Sequence, residues 1–368
     1  MMLRPRVPVT VVVAAQTPRP MPPPHAAVPP LPPTTTRRAA LASTLALLAA
    51  AVSRPAAAAA AAANTAVAVG EDEAKAFAAY AARDFEGAKS ALTRLLEDDG
   101  DGGSSGGNPR SAGDRARLLE MRAAASTDNK QFPEALRDYD AALGLQAELT
   151  EGAAGRAEGG GGGGGGGGYD AAYRERTARA RLLAGRALAR EGVSDWAGAL
   201  SDYDAAAELA ALDGAAADPY VLNSRGNCLA SLGRWREARQ AYLEAAELFQ
   251  GARGFRGRGG STTARLDGAV FAASNAALAL AQLGDEPGAI KEAERVARRA
   301  PGSADMRAAL AALLYADGRR AEAEGSWEFV CSNISVGCGK YRDFDWLARV
   351  RRWPPVMVER MRQFLAME

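Results

Sequence analysis

The chain has 368 residues, with 45 basic and 44 acidic side chains and only 6% aromatic residues. Its first 70 residues carry six arginines and no Asp or Glu, so the remainder is mildly acidic and lacks the basic surplus that non-specific nucleic-acid binding draws on. The single histidine, His25, lies in that leader, which removes His-dependent nucleophilic catalysis and His-containing zinc sites from the rest. Three cysteines (Cys228, Cys331 and Cys338) are too few for a four-thiolate site or a disulfide scaffold, so neither metal nor cofactor is expected.

Residues 1–36 are acid-free, Arg-bearing and Thr/Pro-rich, as organelle transit peptides are. Residues 37–66 begin with Arg37-Arg38, continue into an apolar run over 39–52, and end in alanines and Asn64-Thr65-Ala66. That run is 14 residues long, short of the roughly 20 that a spanning helix needs, so no stable membrane span is expected after processing. The arginine pair before it looks like a twin-arginine export signal. In series the two read as a bipartite address to the thylakoid lumen of a chloroplast. A mitochondrial presequence, bacterial export and an uncleaved anchor are the alternatives.

From residue 67 to 333 one unit recurs. It is clearest in GNCLASLGRWREARQAYLEAAEL, where Gly226, Trp235, Tyr242 and Ala245 keep fixed offsets from Ala238. The same phase gives Phe85/Ala88/Leu92, Phe132/Ala135/Tyr139/Ala142, Trp196/Ala199/Tyr203/Ala206, Gly284/Ala289/Ala293/Val296 and Gly318/Ala323/Trp327/Val330. This spacing resembles the tetratricopeptide repeat, in which small residues at repeat positions 8, 20 and 27 let two antiparallel helices approach and bulky ones at 17 and 24 fill the gaps. The resemblance implies an all-α solenoid of about five to six helix pairs, and alanine-rich, aromatic-poor composition agrees with helices over sheet. Of the six alanines at position 20, only Ala289 and Ala323 stand one 34-residue period apart. Flexible inserts near 98–111, 151–168 and 251–265 account for most of the excess. Two further residues are expected to widen the turn Gly192-Val193-Ser194-Asp195 of the third unit.

Such inserts are tolerable, since each doubling of loop length costs only about 0.6 kcal/mol in closure entropy. The glycine tract 159–168 has no Lys-Ser/Thr after it and reads as a linker in place of a phosphate loop. GFRGRGG, 254–260, has the look of RNA-binding Arg-Gly segments, but one short copy between repeats reads as a solvated loop, and no nucleic-acid partner is expected.

The tail, 334–368, reads as a cap. Pro354-Pro355 suits a helix start, and Met357, Met361, Phe364 and Leu365 follow at helical spacing. The stretch WEFVCSNISVGCGKYRDFDWLARVRRWPPVMVERMRQFL resembles the ending of plant and algal tetratricopeptide proteins assigned to the thylakoid lumen. Cys331 and Cys338, seven apart, can form a disulfide in an oxidising compartment; the alternative packs Cys331 under the last helix pair and leaves Cys338 free.

In the repeat family the concave groove is lined by positions 2, 5, 9 and 12 of each first helix. The resemblance thereby assigns Arg117, Glu120, Arg179, Leu182, Arg186, Tyr220, Asn223, Asn227, Phe271, Ser274, Leu278 and Tyr315 to a peptide-binding groove. Asn223 and Asn227 would bond a peptide backbone, and Arg179 and Arg186 an acidic segment or a C-terminal carboxylate. A two-carboxylate clamp needs a cation where Asp305 and Ala309 stand, and is not expected. The expected activity is non-catalytic: a scaffold or chaperone-like assembly factor that holds a protein or peptide partner, such as a subunit of a photosynthetic complex. The alternative is a redox-responsive adaptor acting through Cys331 and Cys338.

Overall fold

The computed structural model describes residues 71–97, 110–158, 167–251, 262–334 and 338–367. The transit-like leader (1–36), the twin-arginine-like signal (37–66), the 98–109 segment, most of the glycine tract and GFRGRGG lie outside the described residues.

Within the described residues, twelve helices form six antiparallel pairs: α1 (Glu71–Ala81) with α2 (Phe85–Glu97), α3 (Ala112–Asp128) with α4 (Phe132–Glu158), α5 (Gly167–Gly192) with α6 (Trp196–Leu212), α7 (Pro219–Ser231) with α8 (Trp235–Gly251), α9 (Thr262–Gln282) with α10 (Glu286–Arg299), and α11 (Ala304–Ala316) with α12 (Arg320–Asn333). Each second helix packs on the first helix of the next pair, so all six, including the first two, form one stack. A 3₁₀ turn (Cys338–Arg342), a π-helical turn (Trp346–Val350) and α13 (Pro355–Leu365) follow.

The phase read from the alanines is the phase of the fold. Ala88, Ala135, Ala199, Ala238, Ala289 and Ala323 all have no exposed surface, and their partners Ala76, Ala123, Ala187, Ala277 and Ala311, twelve residues earlier, are equally enclosed. At Gly226 the twelve-residue partner is smaller still, because an added Cβ would sit 2.5 Å from Cε1 of Tyr242. Any side chain there would hold the two helices of the fourth pair apart.

All six turns inside the pairs are alike. Each has three residues between helices, and the middle one is left-handed: Arg83, Lys130, Ser194, Gly233, Gly284 and Gly318. The next residue's amide closes the helix end onto a carbonyl five residues back, as in Asp84 to Ala79, Asp195 to Arg190 and Arg319 to Leu314. The third turn is therefore not widened, and the expected two-residue insertion there is wrong. The extra residues of that unit lie between pairs, where α4 runs on to Glu158 and α5 starts at Gly167. Three of the second helices share a start: Asp84, Asp195 and Asp285 each accept the amide of a glycine three residues on, at 2.9–3.0 Å.

The last two pairs and the tail form the largest apolar cluster, in which Leu278, Met306, Leu313, Trp327, Tyr341, Leu347, Trp353, Met357, Met361 and Phe364 are buried together. Burying side chains of this size contributes about 1.5–3 kcal/mol each. The expected stripe on α13 is the buried one, with Pro355 in its first turn. The helix caps the stack on one side, however: it lies against the first helices α11 and α9, through contacts such as Phe364 with Tyr315 at 5.6 Å.

Candidate peptide-binding trough

Neighbouring first helices touch one another, α3 with α5, α5 with α7 and α7 with α9, and so make a continuous wall. Two ion pairs link the first three helix pairs within the wall. Arg117 meets Glu73 at 2.8 Å, and Arg181 grips Glu120 with two nitrogens. In both cases an arginine at repeat position 2 reaches the glutamate at position 5 of the preceding unit.

The narrow third turn shifts the groove assignment of that unit by two residues. Counting back from Ala199 puts Arg181, Ala184, Leu188 and Glu191 at positions 2, 5, 9 and 12. Leu182 is instead buried with Ala116, Ala135 and Tyr139, and Arg186 is a strut between helices. Its guanidinium forks onto Asp202 of α6 at 2.9 and 2.7 Å and reaches Asp140 of α4 at 2.7 Å. These carboxylates, chiefly Asp202, outweigh burial and hold Arg186 above the ordinary arginine range. The expectation that Arg186 meets an acidic ligand is thereby corrected. Arg179 is exposed.

Ser274 and Leu278 are buried as well. The Ser274 hydroxyl donates to the Val270 carbonyl at 2.8 Å, and Leu278 joins the core of the last pairs. The other predicted residues reach partial or full exposure. Tyr220 packs edge-on to Phe249, Asn227 accepts the Tyr242 hydroxyl at 3.0 Å, and Asn223 accepts from Asn275 at 3.3 Å. Phe271 and Tyr315 each lie under an arginine, Arg351 and Arg320.

The wall of the later pairs is already covered by polypeptide. Residues 351–353 cross it, with Arg351 forking onto Asp305 at 2.8 and 2.6 Å and bonding Asn275 at 3.0 Å. Arg352 reaches Glu191 at 2.6 Å, 161 residues away in the chain, and the Trp353 indole donates to Asp305 at 3.1 Å. Burial works against the Arg351 charge, and Asp305 outweighs it to keep the guanidinium above its ordinary value. Gln282 accepts the Val356 amide, and Arg360 meets Glu286 at 2.8 Å. Composition and spacing carry no trace of these partnerships; only a buried position-12 glutamate, legible once the third turn is counted correctly, signals a need for a cation.

Cys331 and Cys338 are joined, with Cα atoms 4.8 Å apart, at the root of this tail. Cys228 is buried, and burial raises its thiol well above the usual range. Among the described residues no cluster of acidic, thiol or imidazole groups could hold a metal ion, and no helix is long and apolar enough to cross a membrane.

Residues 219–252, which span α7 and α8, match the family described as the tetratricopeptide repeat. No curated protein matches the chain. Among solved structures, the apo form of RapI is 12% identical over 79% of this chain and 72% of that one, with a TM-score of 0.50. YrrB, described as a TPR protein with an unusual peptide-binding site, is 15% identical over 65% of this chain and 90% of its own, with a TM-score of 0.40. BtubC from P. vanneervenii is 16% identical over 66% and 87%, with a TM-score of 0.46. Likeness at these identities is of fold. The chain has the fold of a tetratricopeptide-type solenoid, and its fourth helix pair carries the repeat in matched form.

Proposed function

We propose that this chain is a non-catalytic protein-binding scaffold that holds a peptide or subunit segment against the wall of its first helices. One observation carries the reading: that wall already holds polypeptide, since residues 351–353 lie on it through side chains of three separate helix pairs. The leader, with Arg37-Arg38 before an apolar run, leads us to place the scaffold in the thylakoid lumen, where assembly of photosynthetic complexes would supply its partners. A fusion of residues 1–70 to a green fluorescent protein is expected to enter chloroplasts; accumulation anywhere else would remove the lumenal half of the proposal. For the binding half, the immobilised full-length chain should retain proteins from thylakoid extract that Asn223→Arg, with an unchanged melting temperature, does not. Identical retention by both would move binding off this wall.

The second reading, a redox-responsive adaptor, draws on the position of the Cys331 and Cys338 pair between α12 and the tail. It requires reductant to release two additional titratable thiols from the folded chain and to change what the chain retains. Retention that ignores reductant would eliminate it.

A further inference from the structure

Two carboxylates on the wall are set for a cation. The side chains of Glu191 and Asp305 are only 5% and 18% exposed, and a carboxylate held so far from water is costly unless a charge-assisted partner meets it. Asp305 takes its hydrogen bonds from Arg351 and Trp353; Glu191 takes one from the Tyr203 hydroxyl and one from Arg352. Each arginine also has an aromatic plate beneath it: Phe271 under Arg351 and Trp196 under Arg352, both 4.7 Å from the guanidinium carbon to the ring centre. Such contacts strengthen as water is excluded.

The wall thus contains the same device twice, a carboxylate beside an aromatic face, placed for consecutive arginines with an indole after them. The left-handed backbone of Arg352, φ 57°, lets the two neighbouring guanidiniums reach toward different helix pairs. Stacking at both arginines, with a bidentate fork at Arg351, is recognition that selects arginine over lysine.

From this geometry we infer that the wall formed by α5, α9 and α11 is a receptor for Arg-Arg-aromatic segments, held by the chain's own tail until a partner segment of the same basic and aromatic chemistry displaces it. The inference rests on the trough being the binding surface and adds the class of peptide it takes. Elsewhere on the wall Arg117 and Arg181 are already bound to Glu73 and Glu120, so those charges cancel and neither cation is left to draw an acidic ligand.

The test uses a fluorescein-labelled peptide with the sequence of residues 348–356, ARVRRWPPV, titrated with the full-length chain and read by anisotropy. In the wild type the tail competes. Arg351→Ala/Arg352→Ala removes that competition and should bind the peptide at least tenfold more tightly. Adding Glu191→Gln and Asp305→Asn to that variant should cost at least tenfold, and a peptide with Glu in place of the arginines that correspond to Arg351 and Arg352 should not bind. Should the alanine variant fail to fold, Arg351→Lys/Arg352→Lys keeps the charges while losing the fork, and should still bind the peptide severalfold better than wild type. A further readout needs no substitution: excess unlabelled peptide should speed hydrogen exchange at the Trp353 and Val356 amides of the wild-type chain at least tenfold. A folded tail variant that binds the peptide no better than wild type, with exchange unmoved by peptide, would overturn the inference. Retention of thylakoid proteins that still depended on Asn223 would then leave the scaffold reading standing without it.

Discussion

At the scale of single residues, the six left-handed turn positions set up a comparison with opposite signs. Glycine adopts φ near 60–90° freely, whereas a side chain there costs about 1–2 kcal/mol, offset in part by the larger entropy glycine loses on folding. Ser194→Gly is therefore expected to stabilise the chain by about 0.5–1 kcal/mol, and Gly284→Ala, at φ 86°, to destabilise it by about 1 kcal/mol or more. Urea unfolding of both variants checks the pair; same-sign effects would mean that the two turns are not equivalent. Asp128 carries a pH prediction. Burial raises its carboxyl above the ordinary aspartate value, even though the Tyr80 hydroxyl donates to one oxygen; the other has no hydrogen-bond partner among the described residues. A folded-state value raised in this way means that stability from the neutral acid is full below the unfolded-state value and is lost as pH rises through the folded one. Asp128→Asn should accordingly raise the melting temperature at pH 7, and the gain should shrink toward zero as the pH falls to about 4 and the wild-type carboxyl takes up its proton.

At the scale of helix pairs, close approach governs. Gly226→Ala would ordinarily favour a helix by about 1 kcal/mol, yet the added methyl meets the Tyr242 ring, and overpacking of that kind costs about 1–3 kcal/mol. A net loss of stability is expected in thermal unfolding, and Tyr242→Phe, which leaves the ring in place, should not rescue it. The same packing explains what was legible beforehand. Position 20 admits only a small side chain where two backbones cross, so its alanines announce the fold from spacing alone. The third unit misleads because Gly185 imitates Gly226. It is small for a different reason, since its missing Cβ makes room for Tyr139 of the unit before, while Ala187 fills the repeat position that Gly226 fills. Counting from Gly185 slides the groove by two, brings in Leu182 and Arg186, and loses Glu191. The local sign that would have set it right is Asp-x-x-Gly-Ala, found at 84–88, 195–199 and 285–289, which marks the same helix start in three units.

At the scale of the whole molecule, the stack is closed by a tail that returns along its own inner wall. The arginines responsible pair with residues 46 to 161 positions away, so no short-range pattern could reveal them. What the cap motif did announce was a helix with a buried stripe, and α13 is that helix, laid against α11 and α9. The wall of first helices is thus covered in its later pairs by the chain's own tail, and the docking of that tail is the point on which the functional account turns. Native-state hydrogen exchange of the full-length chain, resolved to single amides, tests it most directly. The Trp353 amide bonds the Leu347 carbonyl and the Val356 amide bonds Gln282, so both should exchange as slowly as the interior of α11. Tail amides that exchange at free-chain rates while the paired helices stay protected would contradict the account.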